Sequence, residues 1–125
     1  MDIRKFLKSF KYAFDGIKET IKKEQNIKIH LLMMILVIIA GIILKISKTE
    51  WIICIILFGL VISAELFNTA IENVVDLITK EKNENARKAK DAAAGGVLIL
   101  AIISAIIGII IFAPKCLEFI YFLIK

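Results

Sequence analysis

Across residues 1–26, MDIRKFLKSFKYAFDGIKETIKKEQN, the positions Ile3, Phe6, Leu7, Phe10, Ala13, Phe14, Ile17 and Ile21 recur at helical spacing. That spacing predicts one apolar face on an α-helix. Arg4, Lys5, Lys8, Lys11, Lys18, Lys22 and Lys23 lie between these positions. An apolar face opposite a basic one describes a helix lying in the headgroup plane of a membrane. Gly16 marks a bend in it.

Three long apolar runs follow. The first, 27–46, has a strictly apolar core from Leu31 to Leu44. This core is short against the roughly 20 residues of a spanning helix, and Lys28 and Lys45 make up the length by snorkelling. A polar link, SKTE at 47–50, leads to Trp51, an interfacial anchor for the second span at 51–76. A polar connection, 77–91, precedes the third span at 95–113. Pro114 ends that span, and the tail 115–125 lies at the opposite interface. The pattern predicts an all-α membrane protein of one domain, 1–125: an amphipathic surface helix followed by three transmembrane helices.

Composition agrees. The chain is 59% hydrophobic, above the roughly 45–50% of soluble domains. The N-terminal segment through Lys28 and the 77–91 connection carry thirteen of the seventeen Lys and Arg. By the positive-inside rule, the N-terminus and that connection are cytoplasmic and the C-terminus is outside. The basic residues are thereby assigned to membrane and phosphate, with no nucleic acid as partner. The amphipathic start has no secretory-signal pattern. Cys54 and Cys116 form no metal-binding spacing and read as apolar packing residues.

The second span contains a contradiction. Its later half, AELFNTAIENVVD at 64–76, carries Glu65, Asn68, Glu72 and Asp76. Their separations of three and four place them on one helical face, over a rise of about 16 Å. A charge facing lipid at mid-depth costs at least ~2.5–3.5 kcal/mol. The stripe must therefore face protein, water or a cation. A helix ending near residue 70 would leave Asp76 and Glu72 in solvent, yet it would strand Glu65 and fail to span.

Carboxylates at a membrane surface suit a hard divalent cation such as Mg2+, which takes oxygen ligands and keeps phosphate and water in its shell. Lys90 and Asp91 precede the third span on the same side; a lysine there neutralises phosphate. Glu24, Asn26 and His30 lie where the surface helix meets the first span. The lone His30 reads more simply as a satisfied polar residue than as a ligand. None of the phosphate-loop, dinucleotide, nucleophile-elbow or zinc-protease motifs occurs. Two rival functions remain at this level: a small proton-coupled exporter, and a non-enzymatic membrane oligomer. Neither needs an acidic stripe beside a basic connection.

AELFNTAIENVVD together with ARKAKDAAAGGVLI resembles the paired signatures of the small prokaryotic diacylglycerol kinase family, which includes undecaprenol kinases. FKYAFDGI and EQNIKIH are similar to that family too, so the resemblance spans nearly the whole chain. It implies a homotrimer in a bacterial plasma membrane, with active sites shared between subunits. It implies transfer of the γ-phosphate of ATP, with Mg2+, to the hydroxyl of a membrane lipid alcohol. By motif position it makes Glu65 the catalytic base and Asn68 its neighbour that orients the reacting groups. It makes Glu24 and Glu72 the metal ligands against the nucleotide. It places Lys90 and Asp91, the connection residues Glu81, Lys82 and Asn83, Tyr12 and Lys5 at the ATP. Lys5 stands where one branch of the family has Arg, giving a point charge in place of a two-pronged phosphate contact.

The pattern Glu24, Asn26, Ile29, His30 and the AAG after Asp91 resemble the branch that acts on undecaprenol. The expected product is undecaprenyl phosphate; the alternative acceptor is diacylglycerol, giving phosphatidate.

Overall fold

The computed structural model describes residues 1–125 and consists of four helices: α1 (Ile3–Lys23), α2 (Gln25–Ile43), α3 (Lys48–Ile78) and α4 (Glu84–Ile124). Asp2 caps α1, its carboxylate accepting from the Arg4 backbone N–H at 3.0 Å. The helix continues unbroken through Gly16. No residue of α1 is buried, and Phe6, Phe10 and Phe14 stand more than half exposed. Only the end of that face near Ile21 is partly covered, where α1 meets α2 and α3, and the rest is left open, as on a helix whose partner is a membrane surface. At Glu24 the backbone turns extended and separates α1 from α2.

α2 ends in a tight reversal. Lys45 adopts a positive φ of 52°, and the Ile46 N–H donates to the Gly41 carbonyl at 3.2 Å. This six-to-one bond is the Schellman way of satisfying a terminal carbonyl. Gly41 also gives room to Trp51: a Cβ there would lie 2.7 Å from the indole ring. Trp51 is thus packed inside the α2–α3 hairpin as well as standing near its end. The expected SKTE link shortens, because Ser47 and Glu50 form a reciprocal capping box that starts α3 at Lys48.

The polar connection also contracts, from 77–91 to the non-helical residues 79–83, with Asn83 capping α4. The largest correction concerns Pro114. It lies inside α4, which runs on to Ile124. Proline removes one backbone donor, a loss that membrane helices absorb. Here Lys115, the next residue, reaches Glu50 at 3.2 Å and ties this part of α4 to the start of α3. At 41 residues α4 is about 60 Å long, twice the roughly 30 Å hydrocarbon thickness.

Three helices are long and apolar enough to cross a membrane: α2, α3 and α4. Most of their large apolar side chains are exposed, whereas Ile46, Cys54 and Ile111 form a small buried cluster with Trp51, Phe58 and Phe112 around it. Cys54 is buried, Cys116 exposed, and both are free thiols. α3 is the central element: it packs along α4, and α2 leans on it. Between α2 and α4 a cleft stays open, floored by α3.

Candidate active site

The buried polar side chains of the molecule are Glu65, Asn68 and Thr69, all within two turns of α3. The acidic stripe is graded in exposure: Glu65 is 2% exposed, Glu72 is half-buried and Asp76 exposed. The periodicity argument is therefore met by tertiary packing, with the deepest acid turned into the protein. Asn68 donates through Nδ2 to Glu72 Oε1 at 3.3 Å, joining two rungs of the stripe. Its Oδ1 is buried with no partner. An unsatisfied buried acceptor costs about 1–3 kcal/mol, a strain that suits a group meant to meet a substrate.

Facing Glu65 is His30 of α2, with Nε2 at 3.1 Å from Oε1. Asn26 lies one turn earlier on the same face. These side chains line a polar pocket of about 270 Å³ closed by Ala94, Val97 and Ala101 of α4. Small residues on α4 leave this space, as larger ones would fill it. Adjoining it is an apolar groove of about 570 Å³ between α2 and α4. Ile29, His30 and Ala101 line both, so the two spaces meet at His30. Apart from His30, Ser104 and Gly108, the groove is lined by apolar side chains, and the buried Ser104 Oγ has no partner.

Further along the stripe, Lys90 of α4 is ion-paired with Asp76 of α3. Asp91 is held by Arg87 at 2.8 Å, and Arg87 also binds Glu84. The Glu84 hydrogen bond, then the Asp91 one, push the guanidinium further from deprotonation. Asn83 uses its side-chain oxygen to accept from the Asn85 and Ala86 backbones, so its visible role is the cap. Glu81 donates its backbone N–H to Thr79 Oγ1, and both it and Lys82 are exposed.

Lys5 and Tyr12 are exposed on α1, and neither lines the Glu65 pocket. Glu24 sits at the break between α1 and α2. No group of three or more acidic, His or Cys side chains forms a ready metal cage. The donor set nonetheless fits Mg2+, which needs only one or two carboxylates when substrate phosphates and water complete its shell. Glu72 with the unpartnered Asn68 oxygen beside it offers hard oxygen ligands. His30, read from the sequence as a satisfied polar residue and not as a site residue, is brought against Glu65. Its place in the EQNIKIH segment marked it as part of the family pattern, whereas the contact with Glu65 depends on the α2–α3 packing.

A family model described as prokaryotic diacylglycerol kinase matches residues 11–112. The chain belongs to that family. It is 46% identical over 114 residues to the undecaprenol kinase of Bacillus subtilis (strain 168), covering 91% of this chain and 93% of the relative. It is 36% identical over 113 residues to a diacylglycerol kinase of Synechocystis, covering 90% of this chain and 65% of that protein. A diacylglycerol kinase of Haemophilus influenzae is 34% identical over 107 residues, covering 85% of this chain and 91% of its own. This kinase is a lipid-phosphorylating membrane enzyme, and the exporter and non-enzymatic rivals fall away. Within the kinase, the buried Glu65 lines the polar pocket and touches His30, where the apolar groove meets that pocket.

Proposed function

We propose that this kinase phosphorylates undecaprenol, using MgATP. The observation carrying this is the meeting of groove and pocket at His30, which touches the buried Glu65. A lipid alcohol lying in the groove brings its hydroxyl to the buried carboxylate, while the stripe leads through Glu72 toward the basic connection where ATP arrives. Phosphoryl transfer asks for positioning and charge neutralisation more than covalent help.

In the proposed step the alcohol oxygen attacks the γ-phosphorus and its proton passes to Glu65. The bond from the γ-phosphorus to the bridging oxygen breaks, and ADP leaves. Asn68, one turn from Glu65 and bonded to Glu72, helps orient the reacting groups. Lys90 and Asp91 contact the nucleotide, with Lys5, Tyr12 and the 81–83 connection around it. Mg2+ held by Glu24 and Glu72 would neutralise phosphate charge.

The groove favours a polyprenol. Diacylglycerol carries two ester groups close to its hydroxyl, and burying each carbonyl without a donor costs about 1–3 kcal/mol. Beyond His30, Ser104 is the one hydrogen-bonding side chain in the lining. A polyprenol needs no further donor. The similarity to an undecaprenol kinase over nearly its full length supports the same acceptor.

We also propose a homotrimer with shared sites, oriented with the N-terminus and residues 79–83 cytoplasmic and the C-terminus outside. Two features support this. Lys5 and Tyr12 lie away from the Glu65 pocket of their own chain. Ile52, Ile56, Gly59, Ser63, Phe67, Ala70 and Val74 form an exposed helical stripe on α3, with the small residues that let membrane helices approach.

The test compares undecaprenol and diacylglycerol side by side with the purified protein, ATP and Mg2+. The expected kcat/KM is at least about tenfold higher for undecaprenol, the equivalent of about 1.4 kcal/mol. A ratio of one or below overturns the substrate assignment.

A further inference from the structure

We infer that His30 is a positioning residue for the acceptor-side base, holding one oxygen of Glu65 so that the other is presented to the lipid hydroxyl. The inference rests on Glu65 being that base.

Glu65 is almost wholly enclosed, with 3% of its side chain exposed, and His30 Nε2 at 3.1 Å is the only side-chain nitrogen within ion-pair reach. The contact engages Oε1 alone, and no side chain of the protein reaches the second oxygen within ion-pair distance. A buried carboxylate without any donor would be costly. An N–H at His30 Nε2, 3.1 Å away, would serve one oxygen and leave the other free to take a proton. His30 is itself anchored differently: its side chain is 23% exposed and borders both the groove and the pocket. An alcohol moving from groove to base passes this ring. The three polar residues Asn26, His30 and Asn68 surround the pocket, while α4 contributes only Ala94, Val97, Leu98 and Ala101. No side-chain donor of α4 lines this pocket.

A base displaced by about 1 Å from its productive position loses about 100-fold in rate. The consequence is specific about which nitrogen matters. A glutamine at position 30 extends its amide N–H to about the place of Nε2, whereas an asparagine reaches only about as far as Nδ1.

The experiment measures kcat and KM for lipid alcohol and for MgATP in wild type, His30→Ala, His30→Asn, His30→Gln and Glu65→Gln. His30→Ala and His30→Asn should lower kcat by about 100-fold, with KM for MgATP within about twofold of wild type. His30→Gln should recover most of that loss. A role in merely filling a polar niche would be met equally by Asn and Gln, so equal activity of these two variants overturns the inference. So does wild-type kcat in His30→Ala, or a loss confined to KM for MgATP. Retained turnover in Glu65→Gln instead removes the base assignment beneath it, which separates the two failures. If His30→Ala does not fold, the Asn–Gln contrast decides alone.

Discussion

Lys90, in the second turn of α4, is ion-paired across the 79–83 connection with Asp76, near the end of α3. The two helix ends are thereby clamped on the side where the nucleotide is proposed to bind. Asp76 is the outermost rung of the acidic stripe, 47% exposed in its side chain, against 39% for Lys90. Solvent screening at that exposure limits the pair to about 0.2–1 kcal/mol. Asp76→Asn should therefore raise KM for ATP by no more than about fivefold, leaving kcat at saturating ATP unchanged. Steady-state kinetics over an ATP series check this; a collapse of kcat would give Asp76 a direct part in transfer.

Glu65→Gln keeps the shape of the buried side chain and removes its capacity to accept a proton. Turnover should fall by about 100- to 10,000-fold, the usual range for losing a general base. Nucleotide affinity, read by equilibrium binding of a labelled ATP analogue, should stay near wild type, because ATP approaches from the other end of the stripe.

Glu72 accepts a hydrogen bond from Asn68 and is half-buried. Glu72→Gln should shift the Mg2+ concentration giving half-maximal activity upward by at least about tenfold, about 1.4 kcal/mol of binding. An Mg2+ titration at fixed ATP reads this shift, and an unchanged midpoint would place the metal elsewhere. Chelation of Mg2+ should abolish turnover reversibly.

The α2–α3 reversal should respond in opposite directions at two positions. Lys45 holds a left-handed backbone conformation, φ 52°, which costs a side-chain-bearing residue about 1–2 kcal/mol. Lys45→Gly should raise the apparent thermal midpoint in detergent. Gly41→Ala forces a methyl toward the Trp51 ring, which lies 2.7 Å from the Cβ position. Such overpacking costs about 1–3 kcal/mol and should lower the midpoint.

Glu50 lies at the start of α3, outside the apolar span. Its carboxyl is held below the ordinary 4.5, first by the Ser47 backbone N–H and also by Lys115, against an opposing desolvation. A depressed folded-state value means that its stabilising contribution is present above the unfolded value and is lost as pH falls through the folded one. Between neutral pH and about pH 4.5 the wild type should keep this contribution, and below it the contribution should fade. Glu50→Gln should show a shallower loss of thermal midpoint across that acidic range, measured at constant salt.

Periodicity and hydropathy alone determined the surface helix, the number of spanning helices and the acidic stripe. These properties follow from local spacing and from the cost of leaving charges or peptide groups in hydrocarbon. Helix ends were less legible. Ser47 and Asn83 act as caps and lengthen α3 and α4 into segments read as links. Pro114 was expected to stop α4, because proline's local penalty is visible in a sequence and the support from Lys115 on Glu50 is not. The motifs pointed to Glu65, Asn68 and Glu72, and packing then graded their exposure along α3.

Only the tertiary structure decided what faces those residues. His30 on α2 is separated from Glu65 on α3 by the whole hairpin, so no local spacing relates them. The Trp51–Gly41 contact and the Lys45 reversal set how the two helices meet. The open cleft between α2 and α4 is likewise a product of packing, since each helix alone is apolar nearly all round. Sequence determined that a polar face exists inside the membrane; the arrangement of three helices decided that it ends at a histidine and opens on a groove.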